Sequence, residues 1–163
     1  MSTRVWIAKE LENGKYRSIY CHNDGYPSHT GKILLTHYNT EEKLDKLLAL
    51  GDISVIGGKL EPDTTKDHNH RELQTDVVLA YGRDIGEKGV GARQRSYSAI
   101  TTATDCNYTY IFTRDHEWKY IKLQEPNLEL KDLANELKYE SPTTAEQNEG
   151  AEETETESFT QSM

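Results

Sequence analysis

Two stretches near the start of the chain divide their side chains between two faces with a period of two residues. In residues 4–9, Val5 and Ile7 share one face, and residues 15–22 repeat the alternation. Such a period is typical of a strand with one buried face. Asn13-Gly14 lies between the stretches, and this dipeptide favours a tight hairpin turn. The pattern predicts a β-hairpin, and residues 107–113 and 119–123, joined through residues 114–118, predict a second one.

Between the hairpins, apolar residues follow the spacing of helices. A first helix is expected to open at Pro27 or Ser28, with Ser28 as its cap, and to end near Asn39. A second helix starts at once, with Asn39 as its cap and Glu42 as the capping partner, and stops at Gly51. The apolar residues expected to be buried are Ile33, Leu34 and Tyr38 in the first helix and Leu44, Leu47 and Leu48 in the second.

The rest of the chain alternates short strands, polar loops and one more helix. Residues 52–60 and 75–81 are predicted strands, whereas residues 61–72 and 82–98 are predicted loops. Residues 125–139 carry leucines at helical spacing, with a proline near the start where a helix tolerates it. The order of elements indicates a single α+β domain, with an antiparallel sheet of about five or six strands and helices packed on one face.

Composition separates the body of the chain from its last residues. The net charge is −9, and residues 140–163 carry −7 of it, with no Lys or Arg and with Phe159 as the one aromatic side chain. Such a segment buries too little surface to fold, so we expect a disordered acidic tail at 140–163 after a globular domain at 1–139. The tail could serve as a solubilising linker, compete for a basic loop or mimic nucleic-acid charge.

The cysteines and the apolar segments of the sequence indicate where in the cell the protein is expected. Cys21 and Cys106 are too few for a disulfide framework, and we expect both to be buried thiols. No apolar segment approaches the length of about 20 residues that crosses a bilayer, and the N-terminus lacks a signal peptide. These features lead us to expect a cytoplasmic protein that does not associate with membranes and needs no cofactor.

The first candidate site is the turn at residues 22–29 and the helix that follows. It groups two histidines with an acid, a tyrosine and a lysine, namely His22, Asp24, Tyr26, His29 and Lys32. A new helix could offer N–H groups to an anion, and histidines beside it could donate to a phosphate or move a proton. Turn chemistry alone explains the Asp-Gly pair but requires no histidines. We therefore expect a ligand or a partner to dock here.

The second candidate site is the glycine- and arginine-containing segment at residues 83–95, with Arg83, Arg93 and Arg95. Glycine lets a backbone approach a ligand closely, and arginine recognises phosphate in a bidentate manner. The spacing matches neither a dinucleotide fingerprint nor a Walker loop. A mobile solvated loop is the simpler interpretation, and the alternative is a site for a nucleotide, a nucleic-acid backbone or an acidic protein surface.

Two further groups carry weaker signals. His68 and His70 could bind a divalent metal, but their spacing differs from that of helical zinc sites and no third ligand is clustered with them. Four aromatic residues of the second hairpin could stack nucleic-acid bases, although such residues more often pair across strands and are buried. They are Tyr108, Tyr110, Trp118 and Tyr120.

The turn also carries a resemblance. The run Ile19-Tyr20-Cys21-His22-Asn23-Asp24-Gly25-Tyr26-Pro27, with Gly31-Lys32-Ile33-Leu34-Leu35 after it, resembles a family of small proteins encoded by phages and prophages. That family has a similar Tyr-x-His-x-Asp-Gly-Tyr-Pro turn, commonly with Trp where this chain has Asn23. The resemblance spans residues 1–123 and is most specific in the first sixty. It implies a phage accessory protein inside a bacterial cell, and it assigns no catalytic residue to any position of this chain.

Three functions follow as hypotheses. The favoured one is a phage-encoded accessory protein that binds a host component, for host takeover or counter-defence, without catalysis. The second is a small-molecule or nucleotide-binding domain, or a small enzyme, that uses the turn His22-Asp24-Gly25-Tyr26, with His22, Asp24 and His29 acting together with Arg83. The third is nucleic-acid binding through the segment from Arg83 to Arg95, which the near-neutral charge of residues 1–139 disfavours.

Overall fold

Both predicted hairpins are present in the computed structural model, which describes residues 2–140. Strand β1 (Val5–Glu10) pairs antiparallel with β2 (Tyr16–Cys21), and Gly14 takes a φ of +82° in the turn between them. The second hairpin joins β6 (Tyr108–Phe112) to β7 (Trp118–Lys122). All but Glu140 of the predicted acidic tail, 140–163, lies outside the described residues.

The two hairpins belong to one mixed sheet of eight strands. Its other strands are β3 (Ile53–Val55), β4 (Leu79–Ala80), β5 (Arg93–Arg95) and β8 (Lys131–Asp132). The strand order is β4-β3-β2-β1-β6-β7-β8, and β5 pairs with β2 beside that path. Because β1 runs parallel to β6 and β2 parallel to β3, the expectation of an antiparallel sheet with five or six strands is wrong. The α+β class itself is confirmed.

One face of the sheet is covered by the N-terminal helices. A π-helical turn (Pro27–Gly31) leads into α1 (Lys32–His37), and α2 (Glu41–Leu48) follows. The Lys9 ammonium on β1 lies 2.9 Å from the Asp45 carboxylate, which ties α2 to the sheet. The predicted apolar residues Leu34, Tyr38, Leu44, Leu47 and Leu48 are fully or almost fully buried, and Ile33 is half-buried.

The caps of these helices differ from the prediction by one or two residues. Thr40, and not Asn39, caps α2, because its hydroxyl accepts a hydrogen bond from the backbone N–H of Lys43. Ser28 lies inside the π-helical turn and caps nothing; Tyr26 precedes that turn without a side-chain bond. Proline at the first position fixes the start of the turn without a capping side chain.

The opposite face of the sheet carries a helix of its own. Helix α3 (Tyr97–Thr101) buries Ile100 in an apolar cluster with Ala8, Cys106, Ile111, Ile121 and Leu123. The Thr109 hydroxyl donates to the carbonyl of Ile100 and fixes the helix to β6. The expectation of helices on one face is therefore wrong. Residues 82–98, predicted as a loop, supply β5 and the start of this helix.

The last described helix starts later than its leucine pattern predicts. Helix α4 is Leu133–Glu140, whereas residues 125–130 are irregular and lead into β8. Strand pairing takes precedence here, because Lys119 and Asp132 join β7 to β8 through an ion pair of 3.1 Å. Leu128 and Leu130 are consequently 41% and 48% exposed. Residues Met1–Leu133 form one compact unit, and a second begins at Ala134.

The predicted strand at residues 75–81 is shorter in the structure. Asp76 takes a φ of +61°, which interrupts extended backbone, so β4 keeps only Leu79 and Ala80. None of the helices between residues 2 and 140 is both long and apolar enough to cross a bilayer.

Candidate functional site

The turn after β2 is held in place by backbone hydrogen bonds from two directions. The N–H of His22 donates to the carbonyl of Ile53 at 3.1 Å, and the N–H of Gly25 donates to the carbonyl of Thr3 at 2.9 Å. Asp24 takes a φ of +56°, in the left-handed region. Gly25 has no positive φ, but a Cβ there would lie 2.4 Å from a methyl carbon of Val5. The aspartate therefore makes the bend, and the glycine permits close packing.

The carbonyl of Asp24 organises the start of the helical turn. It accepts hydrogen bonds from the Thr30 hydroxyl at 2.8 Å and from Nδ1 of His29 at 3.0 Å. A carbonyl oxygen can only accept, so Nδ1 of His29 carries a proton and donates. The Asp24 side chain itself is exposed. The acid thus acts through its backbone, and the first residue of α1, Lys32, is also exposed.

The other histidine of the turn, His22, has a partner on the opposite face of the sheet. Nδ1 of His22 lies 2.7 Å from the hydroxyl of Tyr20, whose ring packs against the apolar cluster under α3. Burial raises the pKa of Tyr20 to about 12, so the phenol keeps its proton and we assign it as the donor. His29 instead lies beside Tyr26, with ring centroids 5.9 Å apart. The structure therefore does not join the two histidines in one constellation.

Tyr26 borders an open groove at the end of the sheet. We call it the Tyr26 groove; its volume is about 330 Å³. The tyrosine is 41% exposed, although the residues on both sides of it, Gly25 and Pro27, are buried. A rigid turn thus presents a large aromatic side chain to solvent. The groove is lined by Thr3, Tyr26, Asn107, Tyr108, Lys122, Leu123, Gln124 and Glu125.

The Tyr26 groove continues along the end of β7. Lys122 and Glu125 also line a second hollow of about 220 Å³, whose other walls come from residues 126–131. Leu128 and Leu130, both exposed, lie in that same segment. Three of the five large apolar side chains that the described residues expose therefore belong to this surface or to the segment beside it. Leu128 and Leu130 line neither hollow, so Tyr26 is the exposed large side chain that borders the groove itself.

Sequence reasoning found Tyr26 but missed most of the groove. The residues that line it come from four separate segments, and only the fold brings Thr3, Asn107 and Gln124 together. One signal in the sequence points to the groove, because Tyr108 is an aromatic residue at the start of the first strand of the second hairpin. The other aromatic residues of that hairpin, Tyr110, Trp118 and Tyr120, are buried.

Arg83 is engaged within its own part of the fold. Its guanidinium donates to the carbonyls of Leu60 at 2.6 Å and Val78 at 2.9 Å, and its Nε donates to the Asp84 carboxylate at 2.8 Å. The side chain of Asp84 is only 6% exposed. Burial would raise the pKa of Asp84, but hydrogen bonds from Arg83 and from the Ala80 N–H outweigh it and lower the pKa. Arg83 therefore fastens two loops together.

The two metal candidates, His68 and His70, have different partners in the structure. Nε2 of His68 lies 2.9 Å from the carbonyl of Val78, and its Nδ1 accepts from the N–H of Gln74 at 3.1 Å. Both ring nitrogens are therefore used within the loop. The His70 ring instead lies 6.0 Å from the ring of Tyr81. Across residues 2–140, no three His, Cys, Asp or Glu side chains are grouped so that they could hold a metal ion.

The other two arginines lie on β5, at the edge of the sheet. Arg95 donates to the backbone carbonyl and the hydroxyl of Ser18, and its guanidinium carbon lies 4.5 Å above the ring of Trp6. Arg93 is exposed and donates to the carbonyl of Gly89 at 3.0 Å. The segment from Arg83 to Arg95 is thus part strand, and two of its arginines support the fold.

Comparisons with known proteins identify no relative. No protein-family model matches the chain, and no curated protein or solved structure is significantly similar to it.

Proposed function

We propose that this protein is a non-catalytic binding protein whose partner docks on the Tyr26 groove. The observation that carries the proposal is a 41% exposed tyrosine held on a rigid turn above an open groove. Aromatic anchors of this kind supply much of the energy of protein interfaces. The resemblance to phage-encoded proteins suggests that the partner is a protein of the infected host cell, as in host takeover or counter-defence.

The hydrogen bonds of the turn favour binding over catalysis. A catalytic constellation needs titratable side chains that face one reacting atom. Here His22 bonds to Tyr20, His29 bonds to a backbone carbonyl, and Arg83 bonds within its own loop. A small-molecule site or a small enzyme built on the turn and Arg83 therefore has less support.

Nucleic-acid binding through the segment from Arg83 to Arg95 also has less support. Two of its three arginines are used in hydrogen bonds that hold the fold, which leaves the exposed Arg93 and Lys88 as its remaining cations. The aromatic rings that could stack bases, such as Tyr110 and Trp118, are buried. Binding to nucleic acid would require steep salt dependence, and this gives a direct test against the proposal.

A pair of tyrosines with equal exposure allows a matched experiment. Tyr26 and Tyr97 are each 41% exposed, but they lie beside different neighbours, His29 and Tyr16. A photo-crosslinking amino acid is placed at either position in the full chain, which is then irradiated in extract of a bacterial host. We expect one protein to be captured from position 26 and not from position 97.

The captured protein is then purified and titrated calorimetrically against three forms of the chain. Tyr26→Ala should weaken binding by at least about tenfold, as is usual for an aromatic anchor, and Tyr97→Ala should bind like the unchanged chain. Equal affinity for both variants would overturn the proposal. So would a partner that binds only at low salt and is displaced by nucleic acid.

A further inference from the structure

Two buried N–H groups near the start of β1 have no acceptor. Nε of Arg4 and Nε1 of Trp6 are shielded from solvent, and neither makes a hydrogen bond within residues 2–140. An unpartnered buried donor is costly, so proteins rarely leave one without an acceptor. The chain's other tryptophan shows the ordinary arrangement, because Nε1 of Trp118 donates to the carbonyl of Tyr38 at 3.0 Å.

The two donors lie on the same side of the sheet. Arg4 and Trp6 are two residues apart along an extended backbone, so their side chains leave one face. The Trp6 ring lies 5.9 Å from the ring of Tyr20. Trp6 lies directly opposite Tyr20 in the register of β1 and β2. Both donors therefore lie on the face of the sheet that carries the Tyr20 ring.

The charges around Trp6 favour an anion. Arg95 lies over the indole ring of Trp6 at 4.5 Å, and Arg4 precedes Trp6 by two residues, just before β1. Two acids lie near this face: Asp52 accepts a hydrogen bond from the N–H of Tyr20 at 2.9 Å, and Asp105 precedes the buried Cys106 and is exposed. Neither makes an ion pair with Arg4 or Arg95 within 4.0 Å. The cationic charge here is thus not neutralised by a direct contact.

We propose that Arg4 and Trp6 form a binding site for an oxyanion, specifically a phosphate group. The phosphate oxygens accept hydrogen bonds from Nε of Arg4 and Nε1 of Trp6, and the charge of Arg95 adds to the attraction. Arginine suits this role because its donors match phosphate geometry. Both residues are half-buried, and the flexible stem of Arg4 allows the phosphate to enter. This site lies apart from the Tyr26 groove and does not depend on the function proposed for it.

Indole N–H resonances test the site directly. The chain has two tryptophans, so a nitrogen-15 spectrum of the full protein shows two indole signals, which Trp6→Phe assigns. Inorganic phosphate is titrated at constant ionic strength, with sodium chloride as the balancing salt. We expect the Trp6 signal to move and saturate, while the Trp118 signal stays still because its N–H is already bonded.

Three variants separate specific binding from a general charge effect. Arg4→Met keeps the apolar stem but should weaken phosphate binding by at least about tenfold, the loss expected for a charge-assisted hydrogen bond. Arg114→Met removes another partly exposed guanidinium, in the turn between β6 and β7, and should change nothing. Asp105→Asn removes a competing acid whose side chain is exposed, and it should tighten binding.

A second titration uses adenosine 5′-monophosphate to identify the source of the phosphate. Tighter binding than inorganic phosphate would indicate a nucleotide, and equal binding would indicate the bare phosphate group. A Trp6 signal that neither compound moves would overturn the proposal. It would also be overturned if chloride alone moved the signal equally, or if Asp105→Asn folded normally and bound no phosphate.

Discussion

At the scale of single residues, Asp24 and Gly25 in the turn after β2 have different roles from those that the sequence predicts. An Asp-Gly pair in a turn usually gives the positive φ to the glycine. Here Asp24 takes the positive φ, and Gly25 is required because Val5 and the carbonyl of Thr3 leave no space for a Cβ. The sequence therefore predicts the bend but not which residue makes it, since that depends on packing against β1.

Because Asp24 takes the positive φ and Gly25 allows close packing, substitutions at these two residues should have different effects on stability. Gly25→Ala should lower the free energy of unfolding by about 1–3 kcal/mol, because the new methyl group overlaps Val5. Asp24→Gly should change it by less than about 1 kcal/mol, because glycine accepts a positive φ without strain. Urea unfolding measures both values. If Gly25→Ala were neutral, the close contact with Val5 would be refuted.

A second prediction at this scale concerns acid stability. The pKa of Asp84 is lowered from its ordinary value of 3.8, so the folded state favours the charged carboxylate. The stabilisation is present above about pH 4 and is lost as the pH falls further through the folded-state pKa. Asp84→Asn should therefore flatten the decline in unfolding free energy between about pH 4 and pH 2. Identical slopes for the variant and the unchanged chain would contradict this role.

At the scale of elements, local sequence patterns predict the elements whose partners are close in the chain. Both hairpins were predictable because their partners are adjacent in sequence and a turn fixes the pairing. The leucine spacing in residues 125–139 predicts too early a start for the last helix. Residues Lys131–Asp132 pair with β7 and are extended, and helix propensity is too weak to prevent that pairing. Strand β5 likewise has no apolar pattern. Its position depends on the hydrogen bond from Arg95 to Ser18 and on the packing of Arg95 over the Trp6 ring.

The start of α2 offers a prediction at this scale. Thr40→Ala should lower the free energy of unfolding by about 1 kcal/mol, because the N–H of Lys43 loses its side-chain acceptor. Asn39→Ala is the matched control, since Asn39 is the residue that the sequence pattern favours as the cap. It should have little effect. Thermal or urea unfolding distinguishes the two, and the reverse order would restore the sequence-based assignment.

At the scale of the whole molecule, the candidate site could be predicted only in part. The turn was recognisable from its histidines and its bend, and Tyr26 was among the named residues. The rest of the Tyr26 groove comes from residues 3, 107–108 and 122–125, which the sheet order brings to one end. The Arg4 and Trp6 donors had no sequence signal at all, because an unpartnered N–H is a property of the packed structure.

Truncation tests where the stable part of the chain ends. A chain of residues 1–140 should melt within a few degrees of the full protein, because the composition of the remaining residues is too polar to bury much surface. Leu133→Ala should instead cost about 2–5 kcal/mol, because Leu133 is fully buried and lies close to Gly31. A large fall in melting temperature for the shortened chain would contradict the boundary.

The parallel pairing of β1 with β6 has a consequence for biosynthesis. Val5 lies opposite Tyr108, so the hairpin that leaves the ribosome first must wait for a neighbour made about a hundred residues later. At roughly 5–20 residues per second, the delay is about 5–20 s. During that time one edge of the nascent hairpin has no strand beside it, and edges of this kind attract chaperones or aggregate. Slowing translation should therefore lower the soluble yield of this protein more than that of a protein whose strands pair only with their neighbours.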